Sequence, residues 1–194
     1  MSHRIITISR EFGSGGRTIG KETALRLGIP CYDHELIDKI AEESGFAKEY
    51  IEERGEYSSH GGWFASAFSD RDFNGHSNQD YLWMIQRKVI QDLAGKEPCV
   101  IVGRCAEYIL RDRADCLSVF IHADMDKRAK RIVKQYGERS ESPEKRLKDK
   151  DKRRAAYYQF YTGMKWGDVR SYHIALNSGV LGIEKCVDIL ADLF

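Results

Sequence analysis

The chain has 194 residues, a formal charge of +1, and 42% hydrophobic and 31% charged residues. A chain of this length usually forms one domain with a real core, and the composition excludes a disordered or collagen-like protein. Its apolar runs are too short to span a bilayer, and its first ten residues lack the apolar core of a signal peptide. We therefore expect a single cytoplasmic domain over 1–194 that makes no membrane contact.

The predicted elements alternate between buried strands and amphipathic helices. A β-branched strand at 5–8 leads into a glycine cluster and then into a helix that begins near Thr18 and ends at Gly28. Further strands are predicted at 29–32, 99–102, 117–121 and 173–176. Further helices are predicted at 35–44, 81–93, 125–136, 143–162 and 183–193. Strands separated by helices imply an α/β fold in which helices cover both faces of a parallel sheet.

Two segments differ in composition from the rest of the chain. The segment 127–154 holds 13 Lys or Arg and 5 Asp or Glu, a local charge of +8, which leaves −7 for the rest of the chain. Such a basic segment indicates an anionic ligand. The segment 55–80 is rich in Gly, Ser, His, Asn and Asp with isolated aromatics, which is typical of a loop or mobile cap. Its aromatics leave both a monomer and a weak homodimer open.

The five cysteines are scattered and never occur in Cys-x-x-Cys spacing, so we expect reduced thiols and neither a disulfide framework nor a zinc site.

The glycine cluster between the first strand and the first helix is typical of a phosphate-binding loop. Backbone N–H groups converge there on an anion at the helix N-terminus. Compared with G-x-x-x-x-G-K-[ST], Arg17 takes the place of the lysine, and Glu11 stands where the first glycine is expected. The alternative is a glycine-rich turn with a purely structural role. The residues of the predicted loop are Gly13, Ser14, Gly15, Gly16, Arg17 and Thr18.

Four stretches spread over nearly the whole chain carry a resemblance to a known family. They are ITISREFGSGGR at 6–17, YDHELI at 32–37, VGRCA at 102–106, and the tail at 172–184. These stretches resemble the cytidylate kinase-like proteins, a bacterial branch of the P-loop nucleoside monophosphate kinases in which an arginine commonly replaces the P-loop lysine. The resemblance implies a three-layer P-loop kinase fold, with ATP as donor, Mg²⁺ as metal, and a nucleoside monophosphate, CMP or dCMP by preference, as acceptor.

The resemblance also implies roles for individual residues. The loop amides would hold the β-phosphate of ATP, and Thr18 would ligate Mg²⁺. The segment 127–154 resembles the lid that closes over ATP, and about 45–80 would be an insertion on the acceptor side. The residues expected to act in catalysis are Arg17, Arg128, Arg131 and Arg154. The residues expected to bind the acceptor are Asp33, Lys39, Arg104 and Asp151.

Three departures from the family pattern keep other interpretations open. Val102 stands where an aspartate commonly precedes the Gly-Arg step. Leu147 stands where a lid arginine is expected, with Arg146 or Arg153 as substitutes. The segment 55–80 does not look like the corresponding part of CMP kinases. A kinase with another small-molecule acceptor and an ATP-binding sensor without turnover therefore remain alternatives, whereas nucleic acid is not the expected partner of the basic helices.

Overall fold

A parallel sheet forms the centre of the structure, a computed structural model that describes residues 4–54 and 78–194. Its strands are β1 (Ile5–Arg10), β2 (Cys31–Tyr32), β3 (Cys99–Val102), β4 (Cys116–His122) and β5 (Ile174–Asn177). The strand order is β2-β3-β1-β4-β5, and every neighbouring pair is parallel. Parallel neighbours need crossover connections, which helices supply here. The predicted α/β fold is confirmed.

Helices make most of the connections between these strands. They are α1 (Gly16–Leu27), α2 (Glu35–Ser44), α3 (Lys48–Arg54), α4 (Asn78–Lys96), α5 (Ala106–Ile109), α6 (Met125–Tyr136), α7 (Pro143–Thr162), α8 (Ser178–Leu181) and α9 (Ile183–Asp192). Every predicted helix is present, with small shifts at its ends. The short helices α3, α5 and α8 have no counterpart in the prediction, because so few residues carry little periodic signal. Within the described ranges, no helix combines the length and apolarity that crossing a membrane requires.

Only the last three residues of the segment predicted as a loop, 55–80, belong to the described part of the chain. Helix α4 begins at Asn78, so the prediction of a loop is wrong for 78–80. Helix α3 lies within the expected acceptor-side insertion at 45–80. The remainder of that segment, 55–77, lies outside the described residues.

Each face of the sheet packs against its own set of helices. Ile5 of β1 belongs to a core shared with α2 and α4, whereas Ile6 and Ile8 belong to a core shared with α1 and α9. This separation follows from the alternation of side chains along a strand. All six residues of β1 are buried, as expected for a central parallel strand. All five cysteines are free thiols, and four of them are buried.

The carboxyl ends of the parallel strands meet at one edge of the sheet, and the chain leaves each strand there toward a helix. Strand β1 leads through the glycine loop into α1, and β3 leads through Gly103 into α5. Strand β4 leads into α6, and β5 leads directly into α8. Ligands of open α/β sheets bind at this edge, so these connections position the candidate site.

Candidate active site

An open cleft of about 870 Å³ lies at the carboxyl edge of the sheet, between the glycine loop and helices α6 and α7. One wall is the predicted phosphate-binding loop, of which Gly13, Gly15, Gly16, Arg17 and Thr18 line the cleft. The opposite wall is mainly basic and includes Arg131, Arg139, Arg146, Lys150, Arg153 and Arg154, with two carboxylates, Glu141 and Asp149, among them. The structure therefore brings the glycine loop and the basic segment together around one cavity.

The shape of the glycine loop depends on two glycines with positive φ. Gly13 has φ +80° and Gly15 has φ +85°, a region that side chains rarely adopt. A Cβ on Gly15 would lie 2.5 Å from Cδ1 of Ile183, and one on Gly13 would lie 2.9 Å from Cγ2 of Ile132. Ser14 is buried between them, and its carbonyl oxygen accepts a hydrogen bond from Ser178 Oγ at 2.6 Å. The loop is thus a fixed cradle at the N-terminus of the twelve-residue helix α1, a geometry that favours an anion.

Glu11, the departure from the P-loop pattern, has a defined set of contacts. Its Oε2 accepts a hydrogen bond from the backbone N–H of Ala123 at 3.1 Å. The same oxygen lies 3.4 Å from Nε of Arg128. The side chain therefore ties the start of the loop to the end of β4 and to α6. A glycine could not make these contacts.

Asp151 joins the basic segment to the start of the glycine loop. Its Oδ1 accepts a hydrogen bond from the backbone N–H of Phe12 at 2.7 Å, and its Oδ2 accepts one from Arg128 Nη1 at 2.6 Å. Arg154 lies 3.6 Å from the same carboxylate and donates to the carbonyl oxygen of Arg10 at 3.0 Å. Arg128 and Arg154 are each 6% exposed. The structure places three predicted site residues together in this network, at the base of the loop.

The P-loop arginine pairs with the aspartate that follows β2. Nε of Arg17 lies 2.5 Å from Oδ2 of Asp33. Asp33 is 1% exposed, whereas the side chain of Arg17 is 36% exposed and lines the cleft. Two backbone N–H donors, first that of Glu35 itself and then that of Asp33, hold the pKa of the Glu35 carboxyl below its usual range. This ion pair therefore links Arg17 of the predicted phosphate-binding loop to Asp33, which is expected to bind the acceptor.

Arg131 lies directly against the glycine loop. Its Nη2 donates a hydrogen bond to Oγ1 of Thr18 at 2.9 Å, and its Cζ lies 3.1 Å from the position of a Cβ on Gly15. Thr18 thus presents its hydroxyl to the cleft beside a cation. The described residues contain no cluster of three or more His, Cys, Asp or Glu side chains that could hold a metal ion. Mg²⁺ takes few protein ligands and completes its coordination with water and substrate phosphates, so Thr18 could serve as its protein ligand once Arg131 turns from the hydroxyl to a phosphate.

The basic wall of the cleft is crowded with positive charge around Phe12. Burial, reinforced by Arg154, Arg153, Arg139 and Arg146, lowers the pKa of Lys150. Its Nζ lies 5.2 Å from the centre of the Phe12 ring, within cation–π range. Such crowding of cations favours a polyanionic guest.

Leu147 and the two arginines suggested as replacements for a lid arginine lie in different surroundings. Leu147 is fully buried in a small core with Ala129 and Ile132. Arg146 and Arg153 line the cleft, as the sequence suggested for substitutes. Arg146 also donates from Nη1 to the carbonyl oxygen of Gly137 at 3.0 Å, which fixes the turn between α6 and α7.

None of the four predicted acceptor-binding residues, Asp33, Lys39, Arg104 and Asp151, lines the open cleft. Lys39 lies on α2, with its Nζ 5.9 Å from the centre of the Tyr32 ring. Arg104 is 1% exposed and lines a second, small cavity of about 20 Å³. Its backbone has φ +59°, and its carbonyl oxygen accepts a hydrogen bond from Gln86 Nε2 at 3.0 Å. The structure therefore separates a donor-side cleft from a buried polar cavity around Arg104.

The second cavity contains side chains that no motif in the sequence marks. Gln79 and Gln86 of α4 line it together with Tyr157 and Tyr161 of α7. Tyr161 also stacks on Trp83, with ring centres 4.4 Å apart and planes 12° apart. The two glutamines lie seven residues apart, which places them on one helix face, but the same spacing is common on exposed helices. Sequence reasoning therefore missed them.

A parallel sheet of this order, with a glycine loop at the carboxyl end of its central strand and a basic helical pair across the cleft, defines a P-loop kinase fold. The chain belongs to the cytidylate kinase-like family, whose model matches residues 5–180. None of the curated proteins matches the sequence.

Solved structures agree with this fold. An uncharacterized protein from Eubacterium ventriosum is 31% identical, with a TM-score of 0.73 over 97% of this chain and 96% of that one. Shikimate kinase from Bacteroides thetaiotaomicron is 18% identical, with a TM-score of 0.55 over 97% and 96% of the two chains. Shikimate kinase from Acinetobacter baumannii, in complex with shikimate, is 16% identical, with a TM-score of 0.54 over 97% and 91%. Family and fold together support a small-molecule phosphotransferase.

Proposed function

We propose that the protein transfers the γ-phosphate of ATP to a nucleoside monophosphate, with CMP or dCMP as the preferred acceptor. The observation that carries this proposal is the open cleft in which the glycine loop, at the N-terminus of α1, faces the basic wall of α6 and α7. A triphosphate in this cleft would meet backbone N–H groups on one side and guanidinium groups on the other. We further propose that 1–194 acts as one kinase domain with a lid at about 127–154.

On the donor side, the chain's own residues would align ATP and neutralise its charge. The amides of the loop would bind the β-phosphate, and Arg17 and Arg131 would contact the β and γ oxygens. Thr18 would hold Mg²⁺, which neutralises charge on the same oxygens when it is bound. Because Arg131 already contacts Thr18 at 2.9 Å, little movement is needed to reach a phosphate above the loop. Phosphoryl transfer depends mainly on such positioning and on fixed cations.

We assign Arg128, Arg154 and Asp151 roles beneath the loop rather than a direct grip on the γ-phosphate. Their hydrogen bonds to the backbone of Phe12 and Arg10 support this assignment, since these bonds hold the lid helices against the loop. Movement of α6 and α7 toward ATP would then be transmitted to the loop. The three residues would therefore act by positioning the loop.

On the acceptor side, Asp33 and Arg104 are the proposed binding residues. Asp33 holds Arg17 at 2.5 Å, so an acceptor phosphate attracted to Arg17 would arrive beside the γ-phosphate of ATP. The guanidinium of Arg104 would supply a second cation at the carboxyl end of β3. Lys39 remains a candidate at the outer end of this region. The identity of the acceptor rests on the family resemblance.

The decisive experiment measures ADP formation from Mg-ATP with CMP, dCMP, UMP, AMP, GMP and no acceptor. We expect the highest turnover with CMP or dCMP and a collapse of that turnover in Arg104→Lys, which keeps the charge but loses the planar fork. Thr18→Ala should weaken Mg-ATP binding, measured separately by calorimetry. ATP binding without turnover of any of these acceptors would contradict the cytidylate assignment and support a sensor module or another acceptor.

A further inference from the structure

Gln79 is a buried polar side chain with no hydrogen-bond partner in the described structure. It is 2% exposed, at the second position of α4. Neither its Nε2 nor its Oε1 finds a partner among residues 4–54 and 78–194. Burying a carboxamide without hydrogen bonds is unfavourable, and most buried polar groups in proteins are paired. A side chain kept in this state can take a partner from beyond the described residues, such as a ligand.

Gln86, two helical turns further along α4, provides an internal comparison. It is 3% exposed and lines the same cavity as Gln79. Its Nε2 donates to the carbonyl oxygen of Arg104 at 3.0 Å, and its Oε1 accepts from the hydroxyl of Tyr157 at 3.3 Å. Two glutamines on one helix face therefore differ in kind. Both polar atoms of Gln86 form hydrogen bonds within the fold, whereas neither polar atom of Gln79 has a partner among the described residues, so both can bind a ligand.

The surroundings of Gln79 define the chemistry that this side chain could recognise. The cavity also contains Arg104, which supplies a positive charge, and the stacked pair of Trp83 and Tyr161, which supplies flat apolar surface. A carboxamide offers one donor and one acceptor in one plane, which matches a planar edge carrying an adjacent acceptor and donor. A nucleobase has such an edge. The cavity of about 20 Å³ has room for about one water molecule, so an acceptor must widen it on entry.

We propose that Gln79 is a specificity-determining residue of the acceptor site and reads the hydrogen-bonding edge of the acceptor's base. This inference rests on the proposed function, because it assumes that the acceptor is a nucleotide. It adds the residue that distinguishes one base from another. Arg104 binds negative charge in any nucleotide, whereas a carboxamide responds to the pattern of donors and acceptors on the base.

The test compares Gln79→Met with Gln86→Met, two substitutions of similar shape that remove the carboxamide. In Gln79→Met the thermal midpoint of the ligand-free protein should rise, because an unsatisfied buried polar group is replaced by an apolar one. In the same variant the ratio of kcat/KM for CMP over UMP should fall at least about tenfold, with the KM for ATP unchanged. In Gln86→Met the thermal midpoint should fall, because the carbonyl oxygen of Arg104 and the hydroxyl of Tyr157 each lose one hydrogen bond.

The outcomes separate this inference from the proposed function. If CMP is turned over but Gln79→Met has a lower thermal midpoint and an unchanged ratio, Gln79 is a structural residue and the inference is wrong. If no acceptor is turned over, the readout becomes the thermal shift caused by CMP in the presence of ADP. A shift in the wild type that Gln79→Met abolishes supports the inference while the kinase assignment fails. The absence of any shift with CMP, UMP, AMP or GMP overturns both.

Discussion

The two sides of the candidate site are built on different principles. The donor side is an open cleft of about 870 Å³, shaped by the backbone of the glycine loop and surrounded by partly solvated cations. The proposed acceptor side, around Arg104, is a cavity of about 20 Å³ lined by side chains of α2, α3, α4 and α7. Backbone N–H groups bind phosphate oxygens whatever the rest of the ligand is. A cavity formed by side chains depends on their identity, so we locate specificity there.

The largest expected effect tests the claim that backbone geometry makes the donor side. Gly15→Ala places a Cβ at φ +85°, 2.5 Å from Ile183 Cδ1. We expect a loss of about 3 kcal/mol in unfolding free energy and a decrease of at least about 100-fold in Mg-ATP affinity, measured by denaturation and calorimetry.

Gly28→Ala is the matched control for this substitution. Gly28 ends the same helix with φ +67°, but a Cβ there would meet nothing within 4 Å. This variant should lose about 1 kcal/mol of stability and keep its ATP affinity. Equal ATP affinities in the two variants would show that the loop does not bind the phosphates.

The donor side could be predicted from the sequence because its geometry has a local signature. Gly13 and Gly15 have positive φ angles, which favour glycine. The conformation of the loop is therefore visible in the sequence as glycines between a buried strand and a helix, at 13–18. The order of strands and helices could be predicted for the same reason, since hydrophobic periodicity is local.

The contacts that connect distant parts of the chain could not be predicted. Asp151 reaches the amide of Phe12 and Arg17 reaches Asp33 across the fold, and one chain alone carries no record of such pairs. Gln79 was missed for a different reason. Its importance lies in the hydrogen bonds that it does not make, and only a structure shows those.

The next prediction concerns the link between the lid helices and the loop. Asp151→Asn takes one carboxylate away from Arg128 and Arg154, while Glu11 stays beside Arg128 and an oxygen remains for the amide of Phe12. Because both arginines are buried, we expect a loss of about 2–3 kcal/mol in unfolding free energy, measured by urea denaturation.

Glu141→Gln supplies the control, since it breaks the exposed pair with Lys145 in the same basic segment. That change should leave the unfolding free energy almost unchanged, because exposed ion pairs contribute little to stability. A similar small loss in Asp151→Asn would mean that the lid helices are not held to the loop through this carboxylate.

A third prediction tests the ion pair between Arg17 and Asp33. Arg17→Lys keeps the charge but not the planar fork that contacts Asp33. We expect about 1–2 kcal/mol of coupling between Arg17→Lys and Asp33→Asn in a double-mutant cycle of unfolding free energies. Additive effects in that cycle would show that the pair contributes nothing to stability. In kinetics, we expect each single variant to raise the KM of the acceptor as well as that of ATP, because the proposed function places Arg17 on ATP and Asp33 on the acceptor.

The smallest effect comes from a residue far from both sides of the site and provides a reference for them. Cys116 begins β4 at the opposite edge of the sheet, where burial raises the pKa of its thiol from 9.0 to about 11. The folded protein therefore keeps this proton above pH 9, whereas the unfolded chain loses it. The stability that this group contributes is complete below pH 9 and is lost as the pH rises toward 11, by about 1 kcal/mol at pH 10.

Between pH 7 and pH 10, Cys116→Ala should lose about 1 kcal/mol less in unfolding free energy than the wild type. Mg-ATP affinity should be the same in both proteins at each pH, because neither the cleft nor the cavity around Arg104 contacts this thiol. An affinity that differed between them would show that the far edge of the sheet is coupled to the donor side.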